Sequence, residues 1–304
     1  MYTNGWRTVA VSSPVHMSLR DNNLILKKKD QDEEKSVPLS QMRELMILSN
    51  QGTISLALLQ ALKENNVSTV FCDKRKNPSS SLISTYTNTD QAGRIMDQAT
   101  WTQGRKDLIW SDIIAQKIRM QAQLLLSLDL EIPEQLAESI EAIFPGDYTN
   151  REGLASRIYF NQLFGNEFIR HEKDPVNDAL NYGYTIILNA MNRILSIHGY
   201  HTAIGIHHCS RNNFYNLSCD LMEPFRPFVD RIVYLRNGAE LDQGYFKELI
   251  EVTQDLCLYN GKRMQIITAM ECFAIDVIKS IQDNDTKIGR IDFYRTPRRI
   301  DALL

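Results

Sequence analysis

Four of the six histidines of this 304-residue chain fall between positions 198 and 208. His198, His201, His207 and His208 lead into Cys209-Ser210-Arg211-Asn212-Asn213-Phe214-Tyr215-Asn216, and that run continues through Cys219, Asp220, Leu221, Met222, Glu223, Pro224, Phe225, Arg226 and Pro227. Imidazole, thiol, carboxylate and guanidinium are thus concentrated beside a helix start, where loops tend to carry sites. Three readings compete. The plainest makes these surface and capping histidines. A second makes His198, His201, Cys209 and Cys219 a structural zinc site, although close CxxC or HxxxH pairs are missing. The third joins imidazole to carboxylates around a harder divalent ion; oxygen ligands with one nitrogen suit magnesium or manganese.

Glu152 is the second place where chemistry could sit. Thr149-x-x-Glu152 fits a capping box, in which the Glu side chain returns to a free backbone N–H. A carboxylate near a helix N-terminus also stays ionised readily, which metal ligation requires. The chain offers no Glu-x-x-His pair of the di-iron bundle kind. It has no Gly-rich Walker or Rossmann loop either, so the chemistry should use neither ATP nor a dinucleotide.

The elements that must position these residues change character along the chain. Arg7–Val11, Val15–Leu19, Leu24–Leu26, Ser36–Leu39 and Glu44–Leu48 read as strands, with Asp21-Asn22-Asn23 a hairpin turn. Pro38 suits only an edge or a strand start. Lys27–Lys35 reads as a solvated charged loop. Ile54, Leu58, Leu59 and Leu62 have helical spacing, and Val67–Cys72 is a short apolar strand. A polar, Pro-containing stretch around Asp73–Ser81 marks a linker. Long helical periods follow: Ile109, Ile113, Ile114, Ile118, Leu124, Leu125 and Leu128, then Pro133–Phe144 and Thr149–Phe164. Asp174-Pro175 caps and opens a long helix striped by Val176, Leu180, Tyr184, Ile187, Met191 and Leu195, closed by Gly199. Another helix starts near Ser218 and is kinked by Pro224 and Pro227. Met264–Ile281 is helical again. The expected fold is α+β in two domains: a β-rich domain over 1–76, a linker over 77–90, and a larger all-α catalytic domain over 91–304.

Composition limits the class. Hydrophobic residues are 43% and charged residues 23%, which is globular rather than disordered. The formal charge of -3 argues against a protein that coats DNA or membranes by bulk charge. That total hides an uneven distribution. Residues 129–147 hold six acids and no Lys or Arg, while the tail 286–304 is basic through Lys287, Arg290, Arg295, Arg298 and Arg299. The five cysteines are odd in number and scattered, so a disulfide scaffold is not expected. No apolar run reaches the roughly 18 residues of a membrane span, and no signal peptide is legible. A soluble cytoplasmic protein is expected.

Three blocks resemble the CRISPR-associated adaptation integrase, the universal spacer-acquisition endonuclease family. They are Asn150-Arg151-Glu152-Gly153-Leu154-Ala155-Ser156-Arg157-Ile158-Tyr159-Phe160, then Asn177-Asp178-Ala179-Leu180-Asn181-Tyr182-Gly183-Tyr184, then Gly205-Ile206-His207-His208 with Asp220-Leu221-Met222-Glu223-Pro224-Phe225-Arg226-Pro227. Their order and spacing carry the likeness over nearly the whole chain, and the His-His-Cys-Ser-Arg-Asn-Asn-Phe run is most similar to the type II branch. The resemblance implies that Glu152, His208 and Glu223 are catalytic and bind Mg2+ or Mn2+. Glu223 stands where many relatives have Asp. It places Asp220 beside them as a secondary acid. His207 adjoins, and His208 is preferred because it lies three residues after Gly205.

The activity so implied is DNA strand transfer, in which a fragment's 3′-hydroxyl attacks a phosphodiester at the edge of a repeat. Arg211 and Arg226 are the phosphate candidates, with Arg226 equally able to pair Glu223 or Asp220. Tyr159, Tyr182 and Tyr184 read mostly as core, Tyr182 being a weaker DNA candidate. Implied partners are double-stranded DNA (spacer fragment and repeat), a second copy of the chain, and a small dimeric adaptation protein. The type II branch adds a ring-forming DNA-end protein and the effector nuclease. The sheet edges of the β domain suit dimerisation. The rival classes are a DNA-binding scaffold without chemistry, a metal nuclease of another fold, and a helical structural-zinc protein.

Overall fold

The computed structural model describes residues 7–28, 33–74, 78–82, 88–170, 172–236, 239, 241–283 and 287–294. The fold is mixed α+β, and the chain divides into two compact units, Met1–Thr87 and Asn88–Leu304.

The first unit holds β1 (Arg7–Val11), β2 (Val15–Arg20), β3 (Asn23–Lys27), β4 (Glu34–Pro38), β5 (Met42–Ile47), β6 (Gly52–Ile54), α1 (Leu56–Glu64), β7 (Ser68–Cys72) and β8 (Pro78–Leu82). They form two four-stranded sheets, ordered β1-β5-β7-β8 and β4-β3-β2-β6. The turn between β2 and β3 is a two-residue loop, Asp21-Asn22, both at positive φ (50° and 57°). That conformation matches the strand twist of a tight hairpin, and Asn and Asp tolerate it. Pro38 ends the edge strand β4, where a missing N–H costs little. Ser55 caps α1 by accepting from Leu58 N. Leu58 and Leu62 then bury completely against Leu24, Leu39, Met42 and Leu45.

The span 77–90 is not all linker. Within it β8 pairs antiparallel with β7, Val70 opposite Ser81. A serine-rich edge strand is held by main-chain hydrogen bonds, so no apolar alternation announced it. Residue 77 and residues 83–87 of that span, and 29–32 of the charged run, lie outside the described residues.

The second unit begins with α2 (Gln91–Ala99), α3 (Gln103–Ser127), α4 (Glu134–Glu141) and α5 (Arg151–Phe164). It continues with α6 (Pro175–Ile197), α7 (Asn216–Met222), α8 (Arg226–Leu235) and α9 (Gln243–Glu251). The chain then forms β9 (Leu256–Tyr259), β10 (Lys262–Gln265), α10 (Ile266–Gln282) and β11 (Ile291–Phe293). The expected stripe of α3 is buried at Ile109, Ile113, Ile114, Ile118, Leu124 and Leu125. Asp174 caps α6 by accepting from Val176 N and Asn177 N at 2.8 and 3.1 Å, and Gly199 at φ 75° follows its C-terminus. A short 3-10 segment, Glu223–Phe225, separates α7 from α8, the break that Pro224 and Pro227 impose.

This unit is not all-α, contrary to expectation. β9 stands between β10 and β11 in a three-stranded antiparallel sheet. The cause is Asn260-Gly261, both at positive φ (49° and 73°), a two-residue hairpin turn that ends β9 and starts β10. Helix periodicity over Met264–Ile281 hid it. Of the basic tail, Lys287 and Arg290 are described and Arg295, Arg298 and Arg299 lie outside the described residues. Among the described residues no helix is long and apolar enough to cross a membrane.

Candidate active site

Glu152 sits in the first turn of α5, but it does not cap that helix. Asn150 is the N-cap residue and accepts from Gly153 N at 3.2 Å. The carboxylate of Asp147 takes Arg151 N and Glu152 N at 2.8 and 2.9 Å. With those donors satisfied, the Glu152 side chain is released for other work, and the capping-box reading is corrected.

Its oxygen meets Lys117, which comes from the middle of α3. Lys117 Nζ lies 2.6 Å from Glu152 Oε1 and 2.6 Å from Glu223 Oε2. The Lys117 side chain is only 6% exposed and that of Glu223 only 2%. The same ammonium, with its three donors, therefore also serves the buried Oε2 of Glu223. On the other side, Arg226 Nη2 holds Glu223 Oε1 at 2.7 Å. Burial acts to raise the Glu223 carboxyl, but Arg226 and Lys117 overrule it and hold it below the usual carboxylate range. Burial likewise pushes the Lys117 ammonium down, and Glu223 and then Glu152 outweigh it, so its pKa lies above the ordinary value. Both groups are therefore charged.

The histidine loop is built around Asp220, which α7 carries fully buried. Its Oδ2 accepts Ile206 N and His207 N at 2.6 and 3.1 Å, and its Oδ1 accepts His208 N at 3.0 Å. Oδ1 also takes His208 Nδ1 at 2.6 Å. An ionised carboxylate only accepts, so Nδ1 carries the proton and Nε2 is the ring nitrogen left to act. The bond to Asp220 raises the His208 pKa ahead of the opposing effect of burial, and the charges of Asp220, Glu223 and Glu152 add to it. Gly205 makes the tight approach possible: a Cβ there would lie 2.3 Å from His208 O and 2.9 Å from Asp220 Oδ2. His207 is turned differently. Its ring stacks on Trp110 of α3, with centroids 4.3 Å apart and planes 4° apart, while His208 meets the Trp110 ring edge-on at 5.9 Å.

Three residues absent from the sequence reading hold this arrangement. Lys117 and Trp110 share α3. Gln98, buried in α2, donates to His201 O and Ile204 O at 2.8 and 2.7 Å and accepts from His201 N at 2.9 Å. One signal for Lys117 was legible: a single charge at helical spacing from Ile113 and Ile114, on an otherwise apolar face.

The other predicted residues separate. His198 pairs Glu271 at 2.9 Å, His201 accepts from Ala203 N, Cys219 accepts from Asn213, and Cys209 is exposed. That disperses the zinc set. Tyr182 is 1% exposed, packed edge-on against Phe246, and offers no surface to DNA. Arg226 is tied to Glu223 and lies over the Tyr184 ring at 4.8 Å. Arg211 is exposed, as is the neighbouring Phe214. Behind the site, Asp230 accepts from Tyr159 and Tyr184 hydroxyls at 2.8 and 2.5 Å.

Among the described residues no three His, Cys, Asp or Glu side chains are gathered closely enough to hold a metal ion as they stand. The donor chemistry nevertheless fits a hard divalent cation. Two carboxylates converge on the same ammonium, and an imidazole nearby has its other nitrogen fixed by a carboxylate.

A model of the family described as CRISPR associated protein Cas1 matches residues 9–271. Among curated proteins, the chain is similar to the CRISPR-associated endonuclease Cas1 of Neisseria meningitidis serogroup C (strain 8013). The two are 27% identical over 288 residues, which cover 93% of this chain and 94% of that one. Among solved structures, it resembles a casposase bound to integration product, with a TM-score of 0.74 and 16% identity over 98% of this chain and 99% of that one. It also resembles a chain of a Cas6-RT-Cas1–Cas2 complex, with a TM-score of 0.71 and 18% identity, over 97% of this chain and 37% of that longer one. These structural likenesses establish the shared fold.

Proposed function

Because the chain belongs to the CRISPR-associated protein Cas1 family, we propose that it is a CRISPR adaptation integrase. In this reading it is a metal-dependent DNA endonuclease and strand transferase that inserts short duplex fragments into a repeat array. One observation carries the reading: Glu152 and Glu223 meet one cation beside His208, whose ring Asp220 fixes.

Glu152, Glu223 and Nε2 of His208 would hold Mg2+ or Mn2+, with Asp220 orienting the imidazole. Such an ion acidifies an attacking hydroxyl and offsets charge on the phosphate. The fragment's 3′-oxygen bonds to phosphorus, and the repeat strand leaves as a 3′-hydroxyl. One phosphodiester replaces another, which accounts for the lack of a nucleotide-binding loop. Arg226 keeps Glu223 ionised. Arg211, exposed on the same loop as His208, is the group free to clamp a phosphate.

Joining both ends of a fragment takes two such sites, hence a homodimer. The likeness to a chain of a Cas6-RT-Cas1–Cas2 complex supports a Cas2-type partner, and the likeness to a casposase bound to integration product supports DNA as substrate. The type II branch, with its ring-forming DNA-end protein and effector nuclease, is the setting that the histidine segment favours.

The test is a gel assay of 3′-hydroxyl joining to a repeat substrate with Mn2+, Mg2+ or chelator. Glu152→Ala and His208→Ala should abolish joining while DNA binding persists. Joining at the wild-type rate by either variant, or in chelator, overturns the assignment.

A further inference from the structure

Lys117 has no part in the reaction just described, yet it occupies the centre of the acid pair. Its ammonium touches Glu152 and Glu223 at equal distance, 2.6 Å. Two carboxylates this close to one another would repel if nothing lay between them, and burial of Glu223 sharpens that repulsion. Arg226 makes its direct ion pair with Oε1 of Glu223 alone and acts on Glu152 only at longer range. The residue that balances the pair is therefore Lys117. Its side chain is nearly as buried as that of Glu223, and an ammonium so placed is tolerable only with both acids beside it.

We infer that Lys117 is the built-in counter-ion of the Glu152–Glu223 pair and competes with a divalent cation for the same carboxylate oxygens. The inference rests on the metal reading above. An ion held between Glu152 and Glu223 would share the space where Lys117 now meets Glu152 Oε1 and Glu223 Oε2, and a positive charge a few ångströms from a divalent one is strongly disfavoured. Lysine suits this exchange. Its charge sits on a flexible four-carbon stem and can withdraw without disturbing α3, whereas the planar fork of arginine is set in one geometry. Two consequences follow. Metal affinity is held down by the work of displacing the ammonium, and the fold of this region does not depend on the metal.

The experiment is a calorimetric Mn2+ titration, with melting curves in Mn2+ and in chelator, on the wild type, Lys117→Met and Lys117→Arg. Each variant is purified in Mn2+. Lys117→Met should bind Mn2+ tighter by about tenfold or more. It should also melt at a clearly lower temperature in chelator than in Mn2+, while the wild type shifts little. Lys117→Arg, which keeps the charge, should bind no more tightly than the wild type. Equal or weaker binding by Lys117→Met overturns the inference and leaves the metal reading standing. So does a Lys117→Met protein that stays unfolded in Mn2+, because the ion then fails to replace the ammonium. Absence of binding by all three proteins, each folded, overturns the metal reading and the inference together.

Discussion

A single oxygen of Asp220 grips His208 twice, taking its backbone N–H at 3.0 Å and its ring Nδ1 at 2.6 Å. The ring therefore cannot turn without loosening the loop, and the loop cannot shift without turning the ring. Asp220→Asn retains the volume but brings an amide NH2 among four donors. The folded state should lose about 2–4 kcal/mol, and joining should fall even where the protein is fully folded. Thermal melts and the joining assay measure the two effects; a melt coincident with wild type would sink the claim.

Gly205→Ala should be as harmful, for a steric reason. The added methyl meets backbone oxygen and the Asp220 carboxylate, neither of which is a flexible chain end. A loss of about 2 kcal/mol or more is expected, read as a lower urea midpoint. An unchanged midpoint would mean that the turn opens freely.

Asp230 offers a pH test away from the acid pair. Burial raises its carboxyl from 3.8 to about 6, against the opposing pull of Tyr184, Tyr159 and Arg226. The folded state thus holds this proton more tightly than the unfolded chain. The stability it contributes is complete below about 3.8 and is lost as pH rises through about 6. Between pH 7 and 4.5 the wild type should gain on Asp230→Asn by up to about 2 kcal/mol. Urea melts at both values decide it, and parallel pH profiles for the two proteins would refute it.

The two arginines should part company. Arg211→Ala should weaken DNA binding about equally across sequences and lower the salt slope by roughly one, with no change in melting. Arg226→Ala removes one of the two cations that hold buried Glu223 and should cost about 2–3 kcal/mol of stability. A stable Arg226→Ala with only a DNA defect would contradict this.

Most of the frame was legible in the sequence, because local rules govern it. Apolar spacing placed α3 and α6, Asp174-Pro175 placed the start of α6, and Asp21-Asn22 placed a hairpin. Asn260-Gly261 carries an equally local turn signal, but the strong helical period that follows it masks the short strands on either side. Glu152 and the histidine segment stood out by position, but the set Glu152, His208 and Glu223 came through the family likeness, and of their surroundings only Lys117, a lone charge on an apolar face, left a local signal. Thr149-x-x-Glu152 obeys the capping-box pattern, but Asp147 and Asn150 reach the free N–H groups first. Lys117 precedes Glu152 by 35 residues and Gln98 precedes His201 by 103. Such meetings are decided by how helices pack, and no local pattern encodes them.

The face-to-face stack of Trp110 on His207 gives the site its own optical reporter. Indole emission responds to an imidazole lying against it, and the only other tryptophans are Trp6 and Trp101. With those two replaced by Phe, fluorescence would follow the histidine loop through titration, melting or DNA addition, without any attached dye. Any event that lifts His207 from its seat would then be seen directly, at the residue next to the one proposed to do the chemistry.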